Sequence, residues 1–214
     1  MKRILITTIV ILVVSVNMGS AQEEPGKMKT LSGSESSSGG YGAFTMGYSV
    51  IDDRSAFEFG FRGMWIMNHT VAMGFGGSGF MSQPVYDPVD DTDNFLTGGY
   101  GGFIIEPIVI PLEPVHVAFP ILIGGGAISS VKTNWDDWDN WDQFEDYIPP
   151  TQFFMLIQPG AEIELNVTRF FRMGLGASYR IPIELYHTTP EVPELSPQAV
   201  KGFVFGMSFK FGKF

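Results

Sequence analysis

Cysteine is absent from the 214-residue chain, which excludes disulfide bonds and a lipid-modified cysteine as means of attachment. Basic residues are few, since 13 of them stand against 23 acidic ones, and the formal net charge is −10. A chain of this sign repels phosphate backbones, so nucleic acid is not an expected partner. Glycine and phenylalanine are abundant instead, at 26 and 19 residues, while only 17% of residues are charged. This composition indicates a surface that does not face water everywhere.

The first residues have the pattern of an export signal. Lys2 and Arg3 precede an apolar run from Ile4 to Val16, and Gly-Ser-Ala at 19–21 supplies small residues for cleavage. This pattern predicts a secretory signal peptide over residues 1–21. An N-terminal membrane anchor is the alternative, but about 13 apolar residues are fewer than the roughly 20 that a spanning helix needs. A flexible lead over 22–38 and a single domain over 39–214 are predicted to follow.

Helical periodicity is also missing from the rest of the chain, and alternation with a period of two replaces it. The most apolar segment, 103–128, holds four prolines, each of which would remove a helical hydrogen bond or clash with the preceding turn. In FEFGFRGMWIM (57–67), one face carries Phe57, Phe59, Phe61, Trp65 and Met67, and the other carries Glu58, Gly60 and Arg62. FFRMGLGASYRI (170–181) and KGFVFGMSFKFGKF (201–214) alternate in the same way. The alternation predicts strands with one apolar face.

Eight segments share this alternation. They are predicted as strands at about 39–50, 55–67, 71–83, 94–109, 115–128, 151–165, 169–181 and 200–213. Most are longer than the roughly 5–6 residues of ordinary strands and long enough for the about 9–11 residues with which a tilted strand crosses a membrane. An even number of long strands predicts an all-β fold, a closed eight-stranded antiparallel transmembrane β-barrel.

Short and long connections alternate between these segments. The tight stretches NHT, IPLEP and NVT join segments 2 and 3, 4 and 5, and 6 and 7. The connections after segments 3, 5 and 7 are long and polar, and the first, DDR after Ile51, is short but charged. Membrane barrels sort their connections into short periplasmic turns and longer extracellular loops. The pattern therefore places both ends of the predicted barrel in the periplasm.

The second face of several segments carries charged or amide side chains that would point into the barrel. We predict a polar network in the lumen that consists of Glu58, Arg62, Gln158, Glu162, Glu164, Arg172 and Arg180. Eight strands enclose an interior that side chains can just fill. Oppositely charged groups there are expected to pair, because an unpaired buried charge is costly. Inward glycines would leave room for these long side chains, and structural packing is favoured over a proton or ion pathway.

Several stretches resemble a known family. SGGYGAF, TGGYGGF, PILIGGGA and, most specifically, QPGAEIELNVTRFFRMGLGASYR look like the small outer-membrane β-barrel proteins of Bacteroidota-type Gram-negative bacteria, with OmpA/OmpX-type eight-stranded architecture. The resemblance covers about 39–214 and implies no catalytic residues. Phe214 resembles the signal that the outer-membrane assembly machinery reads, which makes that machinery an expected partner. Because the apolar face of the last strand has odd numbers, we expect either a bulge near Gly212 or that the last residues leave the barrel.

The longest predicted outer loop includes NWDDWDNWDQFEDY (134–147). Its candidate binding residues are Trp135, Trp138, Trp141, Asp136, Asp137, Asp139 and Asp142. The carboxylates could gather Ca²⁺ or Mg²⁺, which prefer oxygen ligands, or bridge weakly bound divalent cations to lipopolysaccharide phosphates. The spacing does not match an EF-hand, so no specific metal site and no cofactor are predicted. The tryptophans would form part of the aromatic belt at the membrane interface or a recognition surface for a partner.

The histidines carry no catalytic spacing. His69 and His116 are expected at the periplasmic rim, and His187 in the outer loop after segment 7. The sequence thus predicts a non-enzymatic, outer-membrane barrel that contacts lipid and lipopolysaccharide and contributes to envelope integrity or surface interaction through acidic, Trp-rich loops. Three alternatives stay open: a lipid-modifying enzyme that uses His187, a narrow, porin-like transport pore, and a soluble periplasmic barrel that holds a small ligand.

Overall fold

The computed structural model describes residues 38–88, 91–133, 151–184 and 196–214. These residues form ten antiparallel strands: β1 (Ser38–Ile51), β2 (Arg54–Met67), β3 (Val71–Ser82), β4 (Val85–Asp87), β5 (Thr92–Val109), β6 (Val115–Ala118), β7 (Ile121–Thr133), β8 (Thr151–Asn166), β9 (Phe171–Glu184) and β10 (Gly202–Lys213). A short 3-10 helix, Pro197–Val200, precedes β10. Among the described residues no helix has the length and apolar character to cross a membrane. The predicted signal peptide and all but the last residue of the predicted lead lie outside the described residues.

The strands close into a ring. β1 pairs with β2 on one side and with β10 on the other, from Gly40↔Lys213 to Ser49↔Val204. The ladder continues from β2 through β3, β5, β7, β8 and β9 back to β10. β4 pairs with β5 beyond the end of β3. β6, like β7, pairs with β5 on one side and with β8 on the other. The predicted all-β, closed eight-stranded antiparallel barrel is confirmed.

The structure divides the fifth predicted segment, 115–128, into two strands, β6 and β7. Phe119 and Pro120 separate β6 from β7, because proline has no N–H to donate to the ladder. Backbone hydrogen bonds keep the wall closed across this break, from the Phe119 N–H to Pro107 O at 2.9 Å and from the Gly160 N–H to Pro120 O at 2.8 Å. The sequence analysis also missed β4, which forms a hairpin with the beginning of β5 where a loop was predicted.

The two ends of the barrel differ in their connections. The tight connections 68–70, 110–114 and 167–170 lie at one end, called here the short-turn end. At the other, the long-loop end, β1 and β2 are joined by Asp52 and Asp53, whose φ angles of 49° and 59° suit a two-residue hairpin. The β4–β5 hairpin also lies at the long-loop end, where β7 and β9 end and β8 and β10 begin. The three short turns of the sequence pattern therefore share one end.

The outer surface is apolar and the interior holds the polar side chains. Phe61 and Phe75 are 69% and 70% exposed, and other large apolar side chains share their outward orientation, namely Phe57, Phe59, Trp65, Leu175, Phe203 and Phe205. Inside, near the long-loop end, Phe80, Leu96, Ile128 and Phe154 are buried in one apolar cluster, which Val200 of the 3-10 helix joins. The distribution is the reverse of that in a water-soluble barrel, whose apolar side chains fill the core.

Candidate functional site in the barrel interior

Strand alternation collects charged side chains inside the barrel. Since successive residues of a strand point to opposite faces, the outward aromatic residues of β2 and β10 place the residues between them in the lumen. The charged side chains gathered there form a central polar network that consists of Glu58, Arg62, Glu106, Glu162, Glu164, Arg172, Arg180 and Lys210. Four of these groups are carboxylates and four are basic side chains, so their formal charges cancel.

The Lys210 ammonium is the centre of one half of this network. The side chain is fully buried, and its Nζ donates to Glu106 Oε1 at 2.9 Å and Oε2 at 3.0 Å and to Glu164 Oε1 at 2.6 Å. Glu162 Oε2 lies 3.3 Å from the same nitrogen. The three carboxylates have oxygen atoms within 4.8 Å of one another, a spacing that could hold a metal ion. Lys210 contacts all three, so the ammonium group supplies the positive charge that such a cluster requires.

Further donors complete the coordination of these carboxylates. Arg62 Nη1 donates to Glu162 Oε1 at 2.8 Å and lies 3.7 Å from Glu106 Oε2. The Tyr41 hydroxyl donates to Glu106 Oε1 at 2.8 Å, and the Ser208 hydroxyl donates to Glu162 Oε2 at 3.1 Å. Hydrogen bonds to charged groups are stronger than neutral ones, and here they replace the water that the buried carboxylates have lost.

His116 and Phe214 close the network towards the short-turn end. His116 is the second residue of β6, at the short-turn end where the sequence analysis expected it, and its buried ring places Nε2 2.9 Å from Glu164 Oε2. The Arg172 guanidinium lies 3.9 Å above the Phe214 ring, which also packs at 5.7 Å from Tyr41. β10 pairs with β1 in unbroken register through Lys213, so the expected bulge near Gly212 is absent from this ladder. The alternative, that the last residues leave the barrel, is also wrong, because the Phe214 ring turns inward.

Glu58 is the centre of the other half, towards the long-loop end. Arg180 Nη1 donates to Glu58 Oε1, which also accepts a hydrogen bond from the Ser49 hydroxyl at 2.9 Å. Glu58 Oε2 accepts from the Tyr100 hydroxyl at 2.8 Å. Arg180 is fully buried and Glu58 is 4% exposed. Both oxygens of the buried Glu58 carboxylate are therefore hydrogen-bonded, as burial of an ion pair requires, whereas Arg180 Nε has no hydrogen-bond partner among the described residues.

A cavity of about 80 Å³ lies between the two halves. Glu58 lines one side of it and Arg62 and Glu162 line the other, while the Gln158 amide donates to Ser178 Oγ at 2.7 Å on its wall. A cavity of this size, with Glu58, Arg62 and Glu162 on its wall, has room for a few water molecules. The geometry therefore supports a packed and charge-balanced interior.

The structure places all seven residues of the predicted lumen network inside the barrel. Their role there stays a proposal. The sequence analysis missed Glu106, His116 and Lys210. Alternation contained the signal for Lys210, which falls between Phe209 and Phe211, whereas Glu106 stands beside Pro107 in an apolar run that obscures the pattern. The seven candidate loop residues between Trp135 and Asp142, and His187, lie outside the described residues.

Inward glycines make room for this network, which gives a testable expectation. A Cβ on Gly176 would lie 2.5 Å from Ala161 O and 2.7 Å from Glu162 Cγ. We expect Gly176→Ala to destabilise the barrel by about 1–3 kcal/mol, as overpacking does elsewhere, in urea unfolding of the detergent-solubilised protein. Gly63→Ala is the matched control, because a Cβ there would meet nothing within 4 Å. Equal stability of the two variants would contradict the role assigned to Gly176.

Comparison with known proteins places the fold. No protein-family model matches the chain, and no curated protein matches it. Among solved structures, Neisserial surface protein A is similar with a TM-score of 0.55 and 9% identity, over 84% of this chain and 99% of that one. The chain has the fold of a small eight-stranded barrel. The fold expected from the sequence resemblance is therefore confirmed. Membership of the Bacteroidota-type family stays a prediction.

Two further solved structures are similar at lower scores. Ail, the attachment invasion locus protein of Yersinia pestis, was solved in complex with the heparin analogue sucrose octasulfate and has a TM-score of 0.46 and 14% identity, over 82% of this chain and 97% of that one. The N-terminal β-barrel domain of Pseudomonas aeruginosa OprF has a TM-score of 0.43 and 12% identity, over 82% and 96%.

Proposed function

We propose that this protein is a non-enzymatic barrel that spans the bacterial outer membrane and contributes to envelope integrity or surface interaction. The observation that carries the proposal is the inverted distribution of side chains. Large apolar residues cover the outside, while Glu58, Arg180 and Lys210 are buried within. Apolar side chains outside and polar side chains inside are the arrangement that a barrel in lipid requires. In water, exposure of so many aromatic residues would favour aggregation.

The interior supports a structural rather than a conducting role. Its charges are paired, and the cavity between the two halves of the network has a volume of only about 80 Å³. Near the long-loop end, Phe80, Leu96 and Phe154 pack across the lumen in the apolar cluster that includes Val200. These features oppose a narrow transport pore, whose path would have to pass both the ion pairs and this cluster.

The remaining parts of the proposal concern location and partners. The predicted signal peptide supports export, and the sorting of connections supports a periplasmic short-turn end and an extracellular long-loop end. Acidic residues at the long-loop end include Asp52, Asp53, Asp87, Asp91 and Asp93. We propose that they act with the acidic, Trp-rich segment 134–147 at the cell surface, next to lipid and lipopolysaccharide, with weakly bound divalent cations and no cofactor. Delivery would depend on the outer-membrane assembly machinery.

Cell fractionation followed by heat-modifiability tests the proposal. We expect the protein in the outer-membrane fraction, extractable only with detergent, because its apolar band cannot be solvated by water. Electrophoretic mobility should shift on boiling, since the closed ladder of hydrogen bonds keeps a barrel folded in mild detergent. Recovery in the soluble periplasmic fraction would overturn the proposal and favour a ligand-binding barrel. Altered lipid A in a producing strain, abolished by His187→Ala, would instead favour the enzyme.

A further inference from the structure

Two of the turns at the short-turn end differ in polarity. The turn 68–70 has the sequence Asn-His-Thr, whereas the turn 110–114 has the sequence Ile-Pro-Leu-Glu-Pro. Ile110 is 58% exposed, and Leu112, at 82%, has the highest exposure of any large apolar side chain among the described residues. The first turn therefore presents side chains that water can solvate, and the second presents apolar surface at the same end of the barrel.

The backbone conformation of the apolar turn strengthens this contrast. Ile110 has a φ of 51°, a left-handed conformation that is an outlier for a β-branched residue. In the polar turn, Asn68 and His69 have φ angles of 50° and 60°, and their residue types are among those that adopt this conformation most readily. An exposed isoleucine thus occupies the conformation for which the neighbouring turn uses polar residues. The protein keeps an apolar side chain at this position despite a local cost in backbone strain.

A second apolar turn lies directly beside the first. In the turn between β8 and β9, Val167 and Phe170 are exposed. Asn166 joins the two turns, because its side-chain amide donates to Glu113 O at 2.8 Å and its backbone N–H donates to Pro114 O at 2.8 Å. The two turns therefore form one surface, called here the apolar turn pair, whose exposed apolar side chains are Ile110, Leu112, Val167 and Phe170.

The apolar turn pair continues the outward apolar surface of the barrel. Val115 and Leu165 pair with each other where β6 and β8 meet these turns, and both side chains are exposed. The polar turn lies beside an earlier point of β5, since the Ile108 N–H donates to Thr70 O at 2.7 Å. From there β5 continues to Val109, which is also exposed, and into the apolar turn. Apolar side chains therefore extend past the polar turn on this side of the barrel.

We propose that the apolar turn pair lies within the adjoining membrane leaflet, in contact with phospholipid acyl chains, while the turn 68–70 faces water. The membrane boundary then follows an uneven line around the short-turn end. Contact with acyl chains removes the exposed apolar side chains of both turns from water, which is favourable in proportion to the area covered. The inference rests on the proposed function, because only a barrel in lipid has a leaflet beside these turns.

The charged side chains of the two turns are compatible with this position. They are Glu113 and Arg169, both exposed, so the turns carry one charge of each sign. The long apolar stem of Arg169 lets its guanidinium reach the phosphates of the headgroups while the neighbouring Val167 and Phe170 stay among acyl chains. A protein partner with a charged surface would find only these two groups to pair with, so the surface fits lipid better.

Quenching of single fluorescent labels by lipid tests the inference, because the chain contains no cysteine and an introduced one is unique. Leu112→Cys, Phe170→Cys and Thr70→Cys variants of the full protein are labelled with bimane and reconstituted into phosphatidylcholine vesicles with or without brominated acyl chains. We expect brominated lipid to remove most of the emission of the two labels on the apolar turn pair and to leave that of the Thr70→Cys label unchanged. Phe61→Cys, at an outward position of β2, is the reference for full lipid contact.

Substitutions at two positions of the same backbone conformation are the matched control. Ile110→Asn removes an apolar side chain and eases the left-handed conformation, and His69→Asn places the same residue type at the corresponding φ in the polar turn. Ile110→Asn should reduce quenching of the Leu112→Cys label, whereas His69→Asn should leave it unchanged.

The reference label separates failure of the inference from failure of the proposed function. Quenching of the Phe61→Cys label alone would overturn the inference, because the apolar turn pair would then lie in water or beneath a protein. Equal quenching at the polar and apolar turns would overturn it as well, since the boundary would be even. Absence of quenching at all the labelled positions, Phe61→Cys included, would overturn the proposed membrane location and the inference with it.

Discussion

Replacing Lys210 by methionine is expected to destabilise the barrel by about 3–5 kcal/mol, as removal of one partner from a buried ion pair does elsewhere. The ammonium group donates to Glu106 and Glu164 and lies 3.3 Å from Glu162. Without it, three carboxylates with oxygens within 4.8 Å of one another would share the remaining cations. Urea unfolding in detergent, followed by the loss of heat-modifiable mobility, measures the effect.

A second substitution separates charge balance from packing. Glu106→Gln in the Lys210→Met background restores equal numbers of carboxylates and cations in the central polar network. We expect the double variant to recover about 1–3 kcal/mol, a coupling free energy typical of residues in direct contact. Lys213→Met, on the outward face of the same strand, should leave stability unchanged. If the double variant were less stable than Lys210→Met, packing rather than charge would explain the loss.

Placing an arginine on the outward face at Phe61 should destabilise the barrel in a bilayer by about 2–4 kcal/mol, the cost of a cation on the lipid face near the midplane. Phe61 lies near the middle of β2 and is 69% exposed. In a water-soluble barrel the same change would be neutral or favourable, because exposed aromatic surface would be removed from water. Reversible unfolding from phospholipid vesicles distinguishes these two results.

Position along the strand supplies the control. Phe57 has the same outward orientation and similar exposure but lies four residues nearer the long-loop end of β2. Phe57→Arg should cost only about 0–1 kcal/mol, since the penalty falls towards the interface. Equal costs at the two positions, or no cost at either, would argue against a membrane around β2.

The candidate site was predictable in part. Its residues could be identified where apolar and polar residues alternate clearly along a strand, and not where they do not. Glu58 is flanked by Phe57 and Phe59, and Arg62 follows Phe61 in the same alternation, so their inward orientation followed from period two alone. Glu106 stands next to Pro107 in an apolar run, and nothing in its local pattern distinguishes inside from outside. His116 belongs to a strand that ends after four residues at Phe119 and Pro120, too short for its pattern to show a buried face.

The sequence by itself determined the number of long strands, their alternation and the sorting of tight turns to one end, because these are local properties of a pleated chain. Only the tertiary structure decided which charges meet. Lys210 and Glu106 are 104 residues apart in the chain, and Arg180 and Glu58 are 122 apart. Their contact depends on closure of the ring and on its register, which place distant strands opposite one another across the lumen. The inward turn of Phe214 has the same origin, since it depends on where the ladder between β1 and β10 ends.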